Sequence, residues 1–417
     1  MTERVEHTPL DVEAIRADFP ILHQDVHEGV PLVYLDSAAT SQTPKQVIDA
    51  MSNYYLRDNA NIHRGIHTLA ARATAGYENS RKRLQALINA QSWREVVFVR
   101  NTTEAINLVA WTWGQQNIGA GDVILSTTME HHANIVPWQL LAQRVGAEIR
   151  YVPMVGNDGL DLDAYARMLD ERVKLVCFSH VSNATGAVQP VVDMVAAARR
   201  VGARVLLDAA QSVPHQPVDV QALDVDFMCF SGHKMLGPTG IGVLYGKFGI
   251  LQSMPPFLGG GDMIKRVTLE DTSYNDVPYK FEAGTPSVAE VIGLGAAVDY
   301  LEKVGLARIQ AHVHALTDHA LQRLREVSAI EIIGPTDPAR RSGSVSLNVG
   351  HVHPHDVAQI LDMEGIAVRA GHHCAQPVHA FFGVPASVRA SFYLYNTTEE
   401  IDRFVEGLSK VKEAFGV

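Results

Sequence analysis

A lysine stands where an apolar strand opens into a glycine-rich loop, in Ser231-Gly-His-Lys234-Met-Leu-Gly-Pro-Thr-Gly240. Its amine sits where a ligand can approach the backbone closely, and such an amine invites a Schiff base; the bland alternative is an ordinary exposed loop lysine. Upstream, Val205-Leu-Leu-Asp208-Ala-Ala-Gln211 sets a carboxylate at the carboxyl end of an apolar strand, the edge where open α/β sheets bind ligands. That acid either holds a pyridinium proton or caps the next turn. The two together meet the requirement of pyridoxal phosphate (PLP) for a Schiff-base lysine and an acidic partner at the ring nitrogen. Asn101-Thr-Thr103-Glu104 carries Asn three residues before Glu, a helix-start signal directly after a strand. The free N–H groups of that start either cradle a phosphate or belong to a helix that is merely capped.

A thiol is the other candidate. Of Cys177, Cys229 and Cys374, the first two lie inside the apolar runs Leu175-Val-Cys177-Phe and Phe227-Met-Cys229-Phe and are expected in the core. Cys374 lies in Arg369-Ala-Gly-His372-His373-Cys374-Ala-Gln-Pro377, without aliphatic flanks, where a nearby imidazolium would raise its thiolate fraction. Arg389, in Val388-Arg-Ala-Ser-Phe, is either a planar clamp for a substrate carboxylate or one half of a surface ion pair. His351, His353 and His355 alternate around Pro354, which is expected to break any regular element; no cysteine or acid completes a ligand set, so no metal is expected.

These residues need a scaffold, and the chain alternates short β-branched runs with longer amphipathic ones. Strands are expected at 95–99, 122–125, 173–178 and 204–207, with helices at 104–113, 135–145 and 191–201 between them. That order implies a mostly parallel sheet covered on both faces, an α/β fold. The runs 226–230 and 240–245 follow with only a loop between them, so an antiparallel element is expected to close the sheet. Beyond Pro286 come helices at 287–304 and 307–327, strands near 344–348 and 366–369, and a last helix from Thr398, a smaller α+β domain. The expected division is an N-terminal segment at 1–30 packing with the small domain, a large domain at 31–295 and a small domain at 296–417. Gly284-Thr285-Pro286 reads as a helix start, Thr at the cap and Pro at the first helical position.

Composition narrows the classes. The chain has 417 residues, 47% hydrophobic, with 35 basic against 46 acidic side chains and a formal charge of −11, which speaks against a polyanion groove. No apolar stretch is long enough to span a membrane and no signal core follows the polar start, so a cytoplasmic protein is expected. Three cysteines without a C-x-x-C pair fit a reducing compartment. Neither a P-loop nor a dinucleotide fingerprint is present: Ile241 fills a required glycine position of the first, and Ile264 and Val298 the last position of the second.

The segments Tyr34-Leu-Asp-Ser-Ala-Ala-Thr40, Asn61-Ile-His-Arg-Gly-Ile-His67, Arg100-Asn-Thr-Thr-Glu-Ala105, Glu130-His-His-Ala-Asn134, Ser179-His-Val-Ser-Asn183, Asp208-Ala-Ala-Gln211, Ser231-Gly-His-Lys234, Phe281-Glu-Ala-Gly-Thr-Pro286 and Arg369-Ala-Gly-His-His-Cys-Ala375 carry a family resemblance. Over nearly its whole length the chain resembles the PLP enzymes of fold type I with the class V aminotransferase fold, and among them the cysteine desulfurases of the SUF pathway. The resemblance implies that Lys234 binds the cofactor covalently, Asp208 pairs with its pyridinium, His131 stacks on the ring, and Asn183 and Gln211 touch the ring oxygen. Thr103, Ser231 and His233 would hold the phosphate, with Thr285 reaching the phosphate of a neighbouring subunit in a homodimer. Arg389 would clamp the carboxylate of L-cysteine, with Arg369, His63 and Arg64 near the site, and Cys374 would take sulfur as a persulfide while alanine leaves. The Arg-x-Gly-His-His-Cys arrangement resembles the subgroup with a short cysteine loop, which implies a sulfur-acceptor protein, SufE-like or SufU-like, and a role in iron–sulfur cluster assembly. Selenocysteine lyase and cysteine-sulfinate desulfinase are the alternatives on the same scaffold. A conventional aminotransferase would leave Cys374 idle, and an inactive sulfur-relay scaffold would have no use for Lys234 and Asp208.

Overall fold

A computed structural model describes residues 8–157 and 159–417. Seven strands form the large sheet: β1 (Val96–Val99), β2 (Val123–Thr127), β3 (Glu148–Val152), β4 (Val173–Ser179), β5 (Arg204–Asp208), β6 (Phe227–Ser231) and β7 (Gly242–Gly246), in spatial order β1-β7-β6-β5-β4-β2-β3. β3, β2, β4, β5 and β6 pair in parallel. β7 runs antiparallel to both neighbours, so it lies one place in from the edge and does not close the sheet as expected; β1 is the terminal strand. β3 carries no clear apolar run in the sequence because Glu-Ile-Arg-Tyr-Val is half polar, as suits an edge strand that is only partly buried.

The central strands are apolar on both faces, and alternate residues divide between two cores. Val205 and Leu207 of β5 pack into one, Leu206 into the other beside Cys177 and Cys229, which are fully buried as expected. The helices used below are α1 (Lys45–Asn53), α2 (Thr68–Leu87), α3 (Thr102–Val109), α4 (Val136–Val145), α5 (Val191–Arg200), α6 (Val288–Val304), α7 (Leu306–Arg325), α8 (Pro354–Met363), α9 (Gln376–Phe381) and α10 (Thr398–Phe415). α6 starts from Ser287, not Thr285: Gly284 turns in the left-handed region at φ 81°, the first helical bond runs from Val291 N–H to the Ser287 carbonyl, and the Ser287 side chain makes no capping bond. α6 runs unbroken past residue 295 and packs on α1 and α2. Pro354 opens α8 at its first position, where the missing N–H costs nothing, instead of breaking an element.

A second sheet of β8 (Ile330–Ile333), β9 (Ser344–Val349), β10 (Arg369–Gly371) and β11 (Ser387–Ser391) is antiparallel in the order β8-β9-β11-β10. Its core holds Leu321 of α7, Leu361 of α8 and Phe404 of α10. Val388 and Ala390 of β11 point into that core, so Ser387, Arg389 and Ser391 point the other way. The expected strand at 366–369 is two short ones: Ile366–Ala367 pairs in parallel with Val33–Tyr34, while β10 pairs with β11. That switch carries Asp36 to the small sheet, where it bridges to Ser391. The N-terminal segment is tied down by Arg16, whose guanidinium donates to the Tyr395 carbonyl at 2.7 Å and to Glu400 at 2.8 Å.

Candidate active site

The carboxyl edge of the parallel strands borders a cavity of ≈ 630 Å³, closed from the opposite side by the small sheet. Each strand end delivers a group. β2 leads to Glu130 and His131, β4 to Asn183, β5 to Asp208 and Gln211, and β6 to Ser231, His233 and Lys234. From the other side come Arg369 of β10, Arg389 of β11 and the turn His372–Cys374. Thr103, His131, Asn183, Asp208, Gln211, Ser231, His233, Lys234, Arg369, Arg389 and Cys374 all line this one cavity.

His63 and Thr285 do not. His63 sits in a separate opening with Arg64, its Nε2 2.9 Å from Glu78 Oε1 and its amide donating to Thr74 Oγ1. Thr285 lines another, beside Glu104 and Phe257. Within one chain His63 and Arg64, expected near the site, do not line the cavity of Lys234.

One end of the cavity is bordered by the N-terminus of α3. Asn101 caps it, its Oδ1 accepting from Glu104 N–H at 2.9 Å, and Ser231 Oγ accepts from Thr102 N–H at 2.9 Å. The amide of Thr103 is left without a partner among the described residues, at the positive end of a helix. Gly242 makes this approach possible: a Cβ there would lie 2.7 Å from Asn101 Cα and 2.9 Å from the Phe230 carbonyl oxygen.

Electrostatics divide the cavity. Asp208 is buried, and among the described residues only the Ala210 amide donates to its carboxylate; burial raises its pKa, against the Ala210 amide and Lys234, which lower it. Lys234 is brought down to about 8, first by burial and then by Arg389, with Asp208 opposing. His131 is pushed down to about 3 by burial and by Lys234; its Nδ1 accepts from Ala133 N–H at 3.0 Å, so the ring is neutral with its proton on Nε2. A buried carboxylate with a free oxygen, an amine that is partly neutral near pH 8, a neutral imidazole and a helix N-terminus match the ring nitrogen, aldehyde, face and phosphate of PLP.

Asp36, unassigned in the sequence, organises the substrate side. Arg369 and Arg389 are directly opposed across β10 and β11, an unfavourable pairing of like charges. Asp36 lies between them, 2.7 Å from Arg369 Nη2 and 3.3 Å from Arg389 Nη2. Arg389 also donates to the Asn183 carbonyl at 2.9 Å, while its buried Nε has no partner among the described residues. Two guanidiniums against one carboxylate leave a positive site for an anion. Glu130 was likewise unassigned: fully enclosed, it accepts from Thr127, Asn134 and Ser179 at 2.6–2.7 Å, and burial raises its pKa to about 7. The partners of Asp36 come together only in the fold, whereas Glu130 has Thr127 and Asn134 three and four residues away and only Ser179 at long range.

Cys374 is exposed at the cavity's edge on a turn in which it and His373 both take left-handed φ, 55° and 52°. Such a conformation costs a residue with a Cβ. Two bonds hold it: Asn183 Nδ2 donates to the His373 carbonyl at 2.6 Å, and the His132 amide to the Cys374 carbonyl at 2.7 Å.

Comparison with known proteins gives a consistent set. The class-V aminotransferase family matches residues 33–404. The chain is 53% identical to a probable cysteine desulfurase of Streptomyces coelicolor over 98% of each chain, and 53% identical to a cysteine desulfurase of Salmonella agona over 97% of this chain and 99% of that one. It superimposes with a TM-score of 0.90 on the crystal structure of the cysteine desulfurase CsdA (S-sulfonic acid) from Escherichia coli, at 37% identity, covering 98% of this chain and 100% of that one.

Proposed function

The chain belongs to the class-V aminotransferase family, and we propose that it is a PLP-dependent cysteine desulfurase that takes sulfur from L-cysteine as a persulfide on Cys374 and releases L-alanine. The observation that carries this reading is the convergence on one cavity of a lysine and a carboxylate from neighbouring strand ends with a thiol and two guanidiniums from the small sheet.

Lys234 would hold the cofactor covalently, Asp208 its ring nitrogen, His131 its face, Asn183 and Gln211 its ring oxygen, and Thr103, Ser231 and His233 its phosphate. PLP supplies an electron sink for the pair left when the substrate loses its α-proton. The side chains do the rest. Arg389 takes the substrate carboxylate on Nε and a terminal nitrogen, which orients the amino acid. Lys234, with a pKa brought down to about 8, exchanges the α-proton near neutral pH. The Cys374 thiolate attacks the substrate sulfur; an S–S bond forms as the Cβ–S bond breaks, and the electron pair ends on Cβ, which takes the proton the thiol gave up. The balance is one thiol and L-cysteine in, one persulfide and L-alanine out.

In the same reading the enzyme is a cytoplasmic homodimer of the SUF type, with His63 and Thr285 serving the neighbouring subunit's site. The persulfide passes to a SufE-like or SufU-like acceptor for iron–sulfur cluster assembly. The exposure of Cys374 supports hand-over to a partner thiol, and three free cysteines suit a reducing compartment.

The test is alanine and persulfide production from L-cysteine, with reductant, by the wild type and by Cys374→Ala. Alanine from the wild type alone, with PLP bound by both, is expected. Full cysteine turnover by the variant overturns the thiol mechanism, and a keto acid in place of alanine makes the enzyme an aminotransferase. Rates on selenocysteine and cysteine sulfinate test the lyase and desulfinase alternatives.

A further inference from the structure

One histidine of the cysteine turn and one in α9 are not used by the reaction above. His373 Nε2 and His379 Nε2 are each 2.9 Å from one atom, Ser387 Oγ, and His379 Nδ1 is 3.1 Å from the Ala375 carbonyl oxygen. All three side chains are buried. A hydroxyl has one proton, so it donates to one ring and accepts from the other. The Ala375 carbonyl only accepts, so His379 carries its proton on Nδ1 and its Nε2 receives the Ser387 proton. His373 must then donate from Nε2 to Ser387, which leaves His373 Nδ1 a lone pair. That nitrogen is buried without a partner among the described residues, on a residue that lines the cavity and directly precedes Cys374.

We propose that His373, Ser387 and His379 form a relay that removes the proton of the Cys374 thiol, a reading that rests on the desulfurase assignment above. The S–H bond breaks and its proton bonds His373 Nδ1. His373 passes its Nε2 proton to Ser387 Oγ, and Ser387 passes its hydroxyl proton to His379 Nε2. A thiolate at Cys374 and an imidazolium at His379 result, with no proton gained or lost. Run backwards, the relay returns a proton to the cavity, where Cβ of the departing alanine needs one.

The surroundings decide where the charge rests. Burial, Arg389 of β11, the neighbouring His379 and Arg369 of β10 hold the His373 pKa at about 2, so that ring only passes a proton on. At His379 burial also disfavours the cation, and the exposed His372, its ring centre 5.6 Å away, opposes it, but the Ala375 carbonyl favours it. Arg389 and Arg369 act against a cation at His373 and are not among the groups named against one at His379, so the positive charge rests on His379. In this relay His373 takes the thiol proton itself; Ser387 and His379 act through it as positioning residues.

The experiment uses the PLP-loaded enzyme. Cys374 alkylation by iodoacetamide is followed against pH, and the first-turnover alanine burst is measured, in wild type, Ser387→Ala and Ser387→Thr. Ser387→Ala is expected to move the alkylation profile to higher pH and to slow the burst about a hundredfold, the lower range for a positioned proton transfer; Ser387→Thr, which keeps the hydroxyl, restores both. A wild-type profile and burst in Ser387→Ala overturn the relay. Should that variant fail to fold, the burst of the wild type in H2O–D2O mixtures decides: a curved dependence on deuterium fraction reports several protons in flight, and a straight line overturns the proposal. A wild type that releases no alanine defeats the desulfurase reading, while its alkylation profile still tests the relay.

Discussion

Arg389→Lys isolates the clamp for the substrate carboxylate. Arg389 is 2% exposed, and two of its nitrogens are engaged, Nη1 at the Asn183 carbonyl and Nη2 at Asp36, while Nε is free. A carboxylate arriving at Nε and its neighbour makes two charge-assisted bonds; an ammonium keeps the charge opposite Asp36 but makes one. A hydrogen bond to a charged group contributes about 1.5–3 kcal/mol, so kcat/KM for L-cysteine should fall roughly 10- to 150-fold, mainly through KM. The control is cysteamine, which has the amine and thiol but no carboxylate. Steady-state persulfide release from both substrates, measured with wild type and variant, gives the ratio directly. An equal loss on cysteamine, or an unchanged KM for cysteine, would refute the clamp, since either result would mean that the substitution acts on the cavity as a whole.

Asp36→Asn leaves two cations facing each other across β10 and β11, and should cost about 3 kcal/mol, the lower end for a broken buried pair because Arg369 is half-exposed and screened; a denaturant titration that shows no loss would contradict the role given to Asp36. Gly242→Ala pushes Asn101 and the α3 N-terminus away from Ser231, so PLP should bind at least about tenfold more weakly, the change in affinity that 1.4 kcal/mol of misfit produces, and a fluorescence titration with an unchanged Kd would show that the phosphate binds elsewhere. The pKa of Glu130 is raised to about 7 from 4.5, so its contribution to stability is fully present below pH 4.5 and is lost as pH rises through 7. Wild type minus Glu130→Gln should therefore drift downward by about 3 kcal/mol across that window in pH-dependent unfolding, and a flat difference would mean that the carboxylate is charged throughout.

How far the site could be read in advance depended on how local its geometry is. Lys234, Asp208, His131 and Thr103 follow strand ends, and a strand end in an α/β sheet is a position in space as well as in sequence. Once 173–178 and 204–207 are recognised as neighbouring parallel strands, Asn183 and Asp208 are bound to meet. Cys374 announced itself by its polar flanks. Asp36 carried no such mark, because it matters only where the Val33–Tyr34 strand pairs with Ile366–Ala367, more than 300 residues away, and neutralises arginines that neither segment reveals. Ser387 is hidden in a different way. In Ser-Val-Arg-Ala-Ser the alternation shows that it shares a face with Arg389, but its hydroxyl acquires a role only where two histidines from α9 and the cysteine turn converge on it. His63 and Thr285 show the converse: their segments were recognised, yet a single chain holds them in openings apart from Lys234. Sequence periodicity says which face of an element a residue occupies; which element lies opposite is decided by pairing, and Asp36, Arg369, Arg389 and Ser387 all lie on such long-range pairings.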